Sequence, residues 1–361
     1  MCSKIAFESL VSILQFSGVS ELTQASAHVN KVWNYAAKLR RTWKYATVRV
    51  SAQPHSVYVK AIQQVQLDEK AASNGWSGSH IVSISLVRCA NLYEFVQADV
   101  FHFLQEVCLK FGYYVVSQWA QLVKDLPPTL KRVTLERVPY NEPFAISLAK
   151  FSDSLERVTL VAFQLIDTPV LPKLTYLSLE RTTWIDSPMI APNLVSLHLL
   201  KYMAISNDCE FKTLLPESTI SNFSFLFDPH TFNAGLAMDL ILPTIAPTVT
   251  CLYFLGVLHF DFPCLETAAI DVDHGTTKRF HAPLLRHLKL VRGRGSARFL
   301  YYYEDIAEQL HTLTIFIPPN EFVQQFIRKC RNLKILRTNT TCHSAISSCV
   351  VSGVRILPDY P

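Results

Sequence analysis

The sequence predicts an α/β solenoid with a small all-α module at its N-terminal end. Three observations carry that expectation. A short apolar phrase recurs thirteen times between residue 81 and the C-terminus. Successive copies are spaced 16 to 29 residues apart, room for one strand and one return segment each. Residues 5–45 instead space their apolar side chains as short helices do.

The phrase is apolar-x-x-apolar-x-apolar. It reads Ile81/Ile84/Leu86, Leu104/Val107/Leu109, Leu130/Val133/Leu135, Leu155/Val158/Leu160, Leu174/Leu177/Leu179 and Leu194/Leu197/Leu199. It continues, less cleanly, through Ile220/Phe223/Phe225, Val249/Leu252/Phe254, Leu265/Ala268/Ile270, Leu285/Leu288/Leu290, Leu310/Leu313/Ile315, Leu333/Leu336/Thr338 and Val351/Val354/Ile356. Its last two apolar residues are separated by one position, so they lie on the same side of a strand. The first enters the same core from the preceding turn. One such rung leaves an apolar row bare, so rungs must stack into a parallel sheet. Phrase and spacing resemble leucine-rich repeats, and the resemblance implies an irregular leucine-rich-repeat array over 81–361. Many members of that class put Asn or Cys three residues after the last strand apolar. Here only Cys89 fits, while Phe163 and Thr182 stand at two of the other positions, which predicts irregular curvature and weaker rungs after residue 215.

The return segments differ. Pro169 and Pro172, then Pro188 and Pro192, forbid a helix through two short connections and predict tight turns. The stretch 320–330 predicts a helix, with Asn320 as N-cap and Phe322, Phe326 and Lys329 at helical spacing.

Residues 1–45 form the second predicted unit, with 46–80 as a linker or capping segment. Leu10, Val11, Ile13, Leu14 and Phe16 make one helical face, Gly18 ends it, and Ser20 caps the next helix. The run Ile5-Ala6-Phe7-Glu8-Ser9-Leu10, with Ile13-Leu14 and Phe16, resembles the start of an F-box; Val29-Asn30-Lys31-Val32-Trp33 and Trp43 resemble its second half. The chain has Ala6 where that family usually has Pro. F-box proteins bind a Skp-type adaptor, which joins them to a cullin-RING ubiquitin ligase, and those carrying leucine-rich repeats hold a substrate with them. The resemblance implies that Ile5, Glu8, Leu10, Ile13, Leu14, Phe16, Val29 and Trp33 form or support an adaptor surface. The other reading is a leucine-rich scaffold or inhibitor whose N-terminal helices only cap the array.

On the strands, residues flanking the core apolars face outward. Among these, Arg132, Arg157, Tyr176 and His198 are expected on consecutive rungs, with Tyr253 further along, as a stripe for a protein substrate. Arg and Tyr are enriched among the residues that dominate interface energies.

Composition narrows the field. Hydrophobic residues are 49% of the chain and charged residues 17%, too apolar for a disordered protein. No apolar run approaches a membrane span, and the N-terminus does not read as a secretory signal, so a cytoplasmic or nuclear location is expected. Nine cysteines with no CxxC fit reduced thiols. Cys342, His343 and Cys349 lack usual zinc spacing, so no metal or other cofactor is expected. No phosphate loop, GxSxG or HExxH appears, and no catalytic site is expected. The net charge of +5 is mild, and nucleic acid is not an expected partner. Lys289, Arg292, Arg294 and Arg298 form a local basic loop, fit either for a phosphate or acidic segment or for plain solvation.

Overall fold

In the computed structural model the described residues are 47–51, 83–87, 104–111, 126–137, 144–166, 170–184, 189–200, 219–226, 242–255, 261–271, 281–291, 300, 303–316, 321–338, 350 and 353–358. They belong to two units, Met1–Leu174 and Thr175–Pro361. Each is a run of parallel β-solenoid with few helices.

The first unit contains β1 (Thr47–Ser51), β2 (Ser83–Val87), β3 (Glu106–Phe111), β4 (Arg132–Arg137) and β6 (Arg157–Val161), paired in that order and all parallel. Two short strands, β5 (Phe144–Ile146) and β7 (Phe163–Leu165), form a separate parallel ladder on the return side, where Phe144 meets Phe163 edge to face at 6.0 Å. The second unit contains β8 (Tyr176–Glu180), a two-residue strand β9 (Thr183–Trp184), then β10 (Ser196–Leu200), β11 (Asn222–Leu226), β12 (Cys251–Leu255), β13 (Thr267–Asp271), β14 (His287–Val291), β15 (Thr312–Ile315), β16 (Ile335–Thr338) and β17 (Arg355–Pro358). From β8, omitting β9, each pairs in parallel with the next.

The register follows the apolar phrase. Val107 stands opposite Val133 and Val133 opposite Val158; in the second unit Leu177, Leu197, Phe223, Leu252, Ala268, Leu288, Leu313 and Leu336 form one continuous row. All of these side chains are buried, as are the leading apolars Leu104, Leu130, Leu155, Leu174, Leu194, Ile220, Val249, Leu265, Leu285, Leu310 and Leu333. Fully burying each such side chain stabilises by about 1.5–3 kcal/mol. The rungs from β11 to β16, expected to be weak, keep the same register, and Phe225 stacks on Phe254 at 5.7 Å across β11 and β12.

The leading apolar is reached through a tight turn. Leu174 N–H donates to Leu171 O (3.2 Å), Leu194 to Ala191 (3.0 Å), Leu265 to Phe262 (3.3 Å) and Leu285 to Ala282 (3.1 Å). In each, the second residue is proline: Pro172, Pro192, Pro263 and Pro283. Proline presets the φ that a turn needs at this position, which is why these connections stay short. A second device binds rung to rung. The residue just before the leading apolar reaches a backbone carbonyl of the previous rung: Thr129 Oγ1 to Leu104 O (3.4 Å), Thr248 Oγ1 to Ile220 O (2.8 Å), Gln309 Nε2 to Ala282 O (2.6 Å) and Asn332 Nδ2 to Glu308 O (2.6 Å). Ser154 Oγ lies 2.6 Å from Pro128 O and 2.7 Å from Leu130 O.

Several expectations need correction. Strand β1 lies inside the segment read as linker or cap, because Val48 and Val50 pair in register with Ile84 and Leu86. The last rung is displaced by two residues: Ile356, not Val354, stands opposite Leu336. The 320–330 helix appears as α2 (Glu321–Lys329), after a four-residue α1 (Glu304–Ala307), but it buries Val323, Phe326 and Ile327 and leaves Phe322 exposed. That face is at i, i+3, i+4 spacing, one residue on from the expected one. Finally, Thr182, just after β8, is a fully buried polar residue, and its Oγ1 donates to Glu180 O at 3.0 Å. Just before it, Arg181 has a positive φ of 48°, as does Ala162 (64°) after β6, and both turn the chain out of its strand.

Candidate interaction surface

Alternation along each strand turns every second side chain outward, and the parallel register sets these residues in rows about 4.8 Å apart. In the first unit one row is Glu106, Arg132 and Arg157; the next is Cys108, Thr134 and Thr159; the third is Lys110, Glu136 and Val161. The charges here neutralise one another. Lys110 Nζ lies 2.5 Å from Glu136 Oε2, and Arg132 Nη1 lies 3.7 Å from Glu106 Oε2. The hydrogen bond to Glu136 raises the Lys110 pKa above its ordinary value, against the opposing effect of partial burial.

The second unit continues with rows of different chemistry. Tyr176, Ser196, Asn222, Cys251, Thr267, His287 and Thr312 form one; Ser178, His198, Ser224, Tyr253, Ala269, Lys289, Thr314 and Arg337 form the other. Asn222 Nδ2 donates to Ser196 Oγ at 3.3 Å. The middle of this face is small, uncharged and aromatic, and its C-terminal end is cationic.

The expected stripe falls into this frame as follows. Arg132 and Arg157 are direct cross-strand neighbours, and both are exposed. Tyr176 and His198 belong to different rows: Tyr176 is opposite Ser196, and His198 is opposite Ser178. Their rings nevertheless meet diagonally, with centroids 4.9 Å apart and planes tilted by 38°. Tyr253 shares the His198 row, with Ser224 between them. The stripe is therefore an arginine pair in the first unit and an aromatic group in the second.

Ile5, Glu8, Leu10, Ile13, Leu14, Phe16, Val29 and Trp33 lie outside the described residues, as do Arg292, Arg294, Arg298, Cys342, His343 and Cys349. Among the described residues no group of three or more His, Cys, Asp or Glu side chains is gathered as metal ligands would be. Nor is any helix long and apolar enough to cross a membrane. On the helical side, Glu308, Gln325, Arg328, Lys329 and Arg331 line a shallow, open depression, where Lys329 pairs with Glu304 and Arg331 with Glu308. Cys330 is buried beside it, with its thiol pKa pushed up to about 12 by burial and its Sγ 3.3 Å from Phe326 O, so it is no nucleophile.

No protein-family profile matches the chain, and no curated protein matches it.

Proposed function

We propose that the chain is the substrate-recognition subunit of an SCF-type cullin-RING ubiquitin ligase. Its N-terminal segment binds a Skp-type adaptor through Leu10, Ile13, Leu14 and Phe16, supported by Ile5, Glu8, Val29 and Trp33. Its rungs, read as leucine-rich repeats, hold a protein substrate. What supports this most is the order of the parts: among the described residues the first strand of the parallel ladder starts at Thr47, directly after an F-box-like stretch that the sequence carries up to Trp43. The outward rows fit a recognition role. Arg132 with Arg157, and Tyr176 with His198 and Tyr253, present planar donors and aromatic rings on a backbone fixed by its ladder.

Capture of the tagged full chain by a purified Skp-type adaptor tests the reading, beside a Leu10→Ala/Ile13→Ala variant. Binding by the wild type and its loss in the variant is the expected result. A folded wild-type chain that does not bind the adaptor overturns it and leaves a repeat scaffold with a helical cap.

A further inference from the structure

Among the described residues, the last four rungs carry a cationic face that no ion pair neutralises. In register, Lys289 of β14 stands opposite Thr314 of β15, which stands opposite Arg337 of β16. One row over, His287 stands opposite Thr312, then Ile335, then Arg355. Just ahead of the strands, backbone bonds align a third row: His311 N–H donates to Arg286 O (2.8 Å) and Lys334 to His311 O (2.9 Å). On strand β15 the short, buried Thr314 thus lies between two long basic side chains, Lys289 and Arg337.

No carboxylate closes on them among the described residues. Glu304 and Glu308 are engaged with Lys329 and Arg331 on the helical side, and Glu321 accepts from Gln325 at 3.2 Å. Glu266, one rung before Arg286, is exposed and makes no ion pair among the described residues. His287, Lys289, Lys334, Arg337 and Arg355 are all exposed. The His311 imidazole is held below its ordinary pKa by burial and by the nearby charges of Lys334, Arg286 and His287. Cations therefore crowd this site, and among the described residues no ion pair closes on them.

We propose that the outward face of β14–β17 is the docking site for an acidic segment of a protein partner, a run of Asp and Glu side chains laid across these four strands. The dimensions fit: four strands at about 4.8 Å span roughly 15 Å, the length of four or five extended residues. Arg337 supplies a planar fork for a carboxylate, and Lys289, fixed 4.9 Å over the Phe316 ring, supplies a point charge on the other side. Nucleic acid fits less well. Among the described residues the Phe316 ring lies under Lys289 and is not free to stack on a base, and Thr267 and Ala269 of β13 do not extend the two basic rows. This inference does not depend on adaptor binding, because it uses none of residues 5–33.

Fluorescence anisotropy of the full chain tests it, with a labelled peptide of about five consecutive glutamates and its all-glutamine counterpart. The glutamate peptide is expected to bind at low salt, to weaken as ionic strength rises from about 50 to about 300 mM, and to lose at least about tenfold in affinity in Lys289→Glu/Arg337→Glu. Lys173→Glu, an exposed charge on a turn of the first unit, should leave binding unchanged, and circular dichroism should show every variant folded. Equal binding by the double variant, equal binding of the glutamine peptide, or no binding by folded wild type each overturns the proposal. So does a single-stranded DNA of matched charge that binds more tightly with the same dependence on Lys289 and Arg337. Adaptor capture by the same preparations separates this failure from failure of the ligase reading.

Discussion

The outward faces of β3–β6 and of β14–β17 are built on the same backbone yet are electrostatically different. On β3 and β4 the outward cations Lys110 and Arg132 each have an acid across the ladder, Glu136 and Glu106. On β14–β16 the corresponding positions hold His287, Lys289 and Arg337 with Thr312 and Thr314 between them. Beneath both faces the interior is the same ladder of aliphatic side chains. The repeat fixes what lies inside a rung and leaves the outside free, so one fold can carry a self-neutralised stretch and a charged one.

Three experiments would break or sharpen that comparison. The largest effect is expected where the two regions are alike. Leu135 and Leu290 are both fully buried, and truncating either to Ala should cost about 2–5 kcal/mol in urea denaturation. A region that tolerates its truncation does not share the common interior. A smaller effect is expected where they differ in titration. His311 has a lowered pKa in the folded chain, so the native state resists its protonation. Its stability is whole above the unfolded value of 6.5 and declines as pH falls through and below that value. His311→Asn should flatten the fall in melting temperature between pH 7 and pH 5 (approximate limits set by the histidine range); an unchanged profile would contradict the crowding by Arg286, His287 and Lys334. The smallest effect belongs to the neutralised face. Lys110 and Glu136 are each more than 40% exposed, and a double-mutant cycle should give a coupling of only about 0.2–1 kcal/mol, lost at high salt.

Much of the interior was legible in advance, because a period of two with a leading apolar is a geometric requirement of a stacked strand. Val133, Leu135, Leu177, Leu179, Leu288 and Leu290 all fall where the phrase puts them. Strand β1 also fits the phrase, as Tyr45/Val48/Val50, but it follows helical spacing so closely that it was read with the linker. The rung-to-rung side-chain bonds were not legible. Thr129, Ser154, Thr248, Gln309 and Asn332 span four residue types and have in common only a donor able to reach the carbonyl behind. The surface was legible as a list and not as a pattern. Which residues face outward follows from alternation, but which of them meet depends on register. That is why Tyr176 and His198 touch diagonally instead of sharing a row, and why the pairing of Lys110 with Glu136 could not be seen beforehand.

The central claim is that adaptor binding and partner recognition use separate parts of the chain, the F-box-like segment and the outward rows. Amide hydrogen exchange of the full chain, alone and with a Skp-type adaptor, tests it most directly. The account predicts new protection within residues 5–33 and unchanged exchange on strands β3 to β17. Protection appearing on the strands instead, or none anywhere at saturating adaptor, would contradict it.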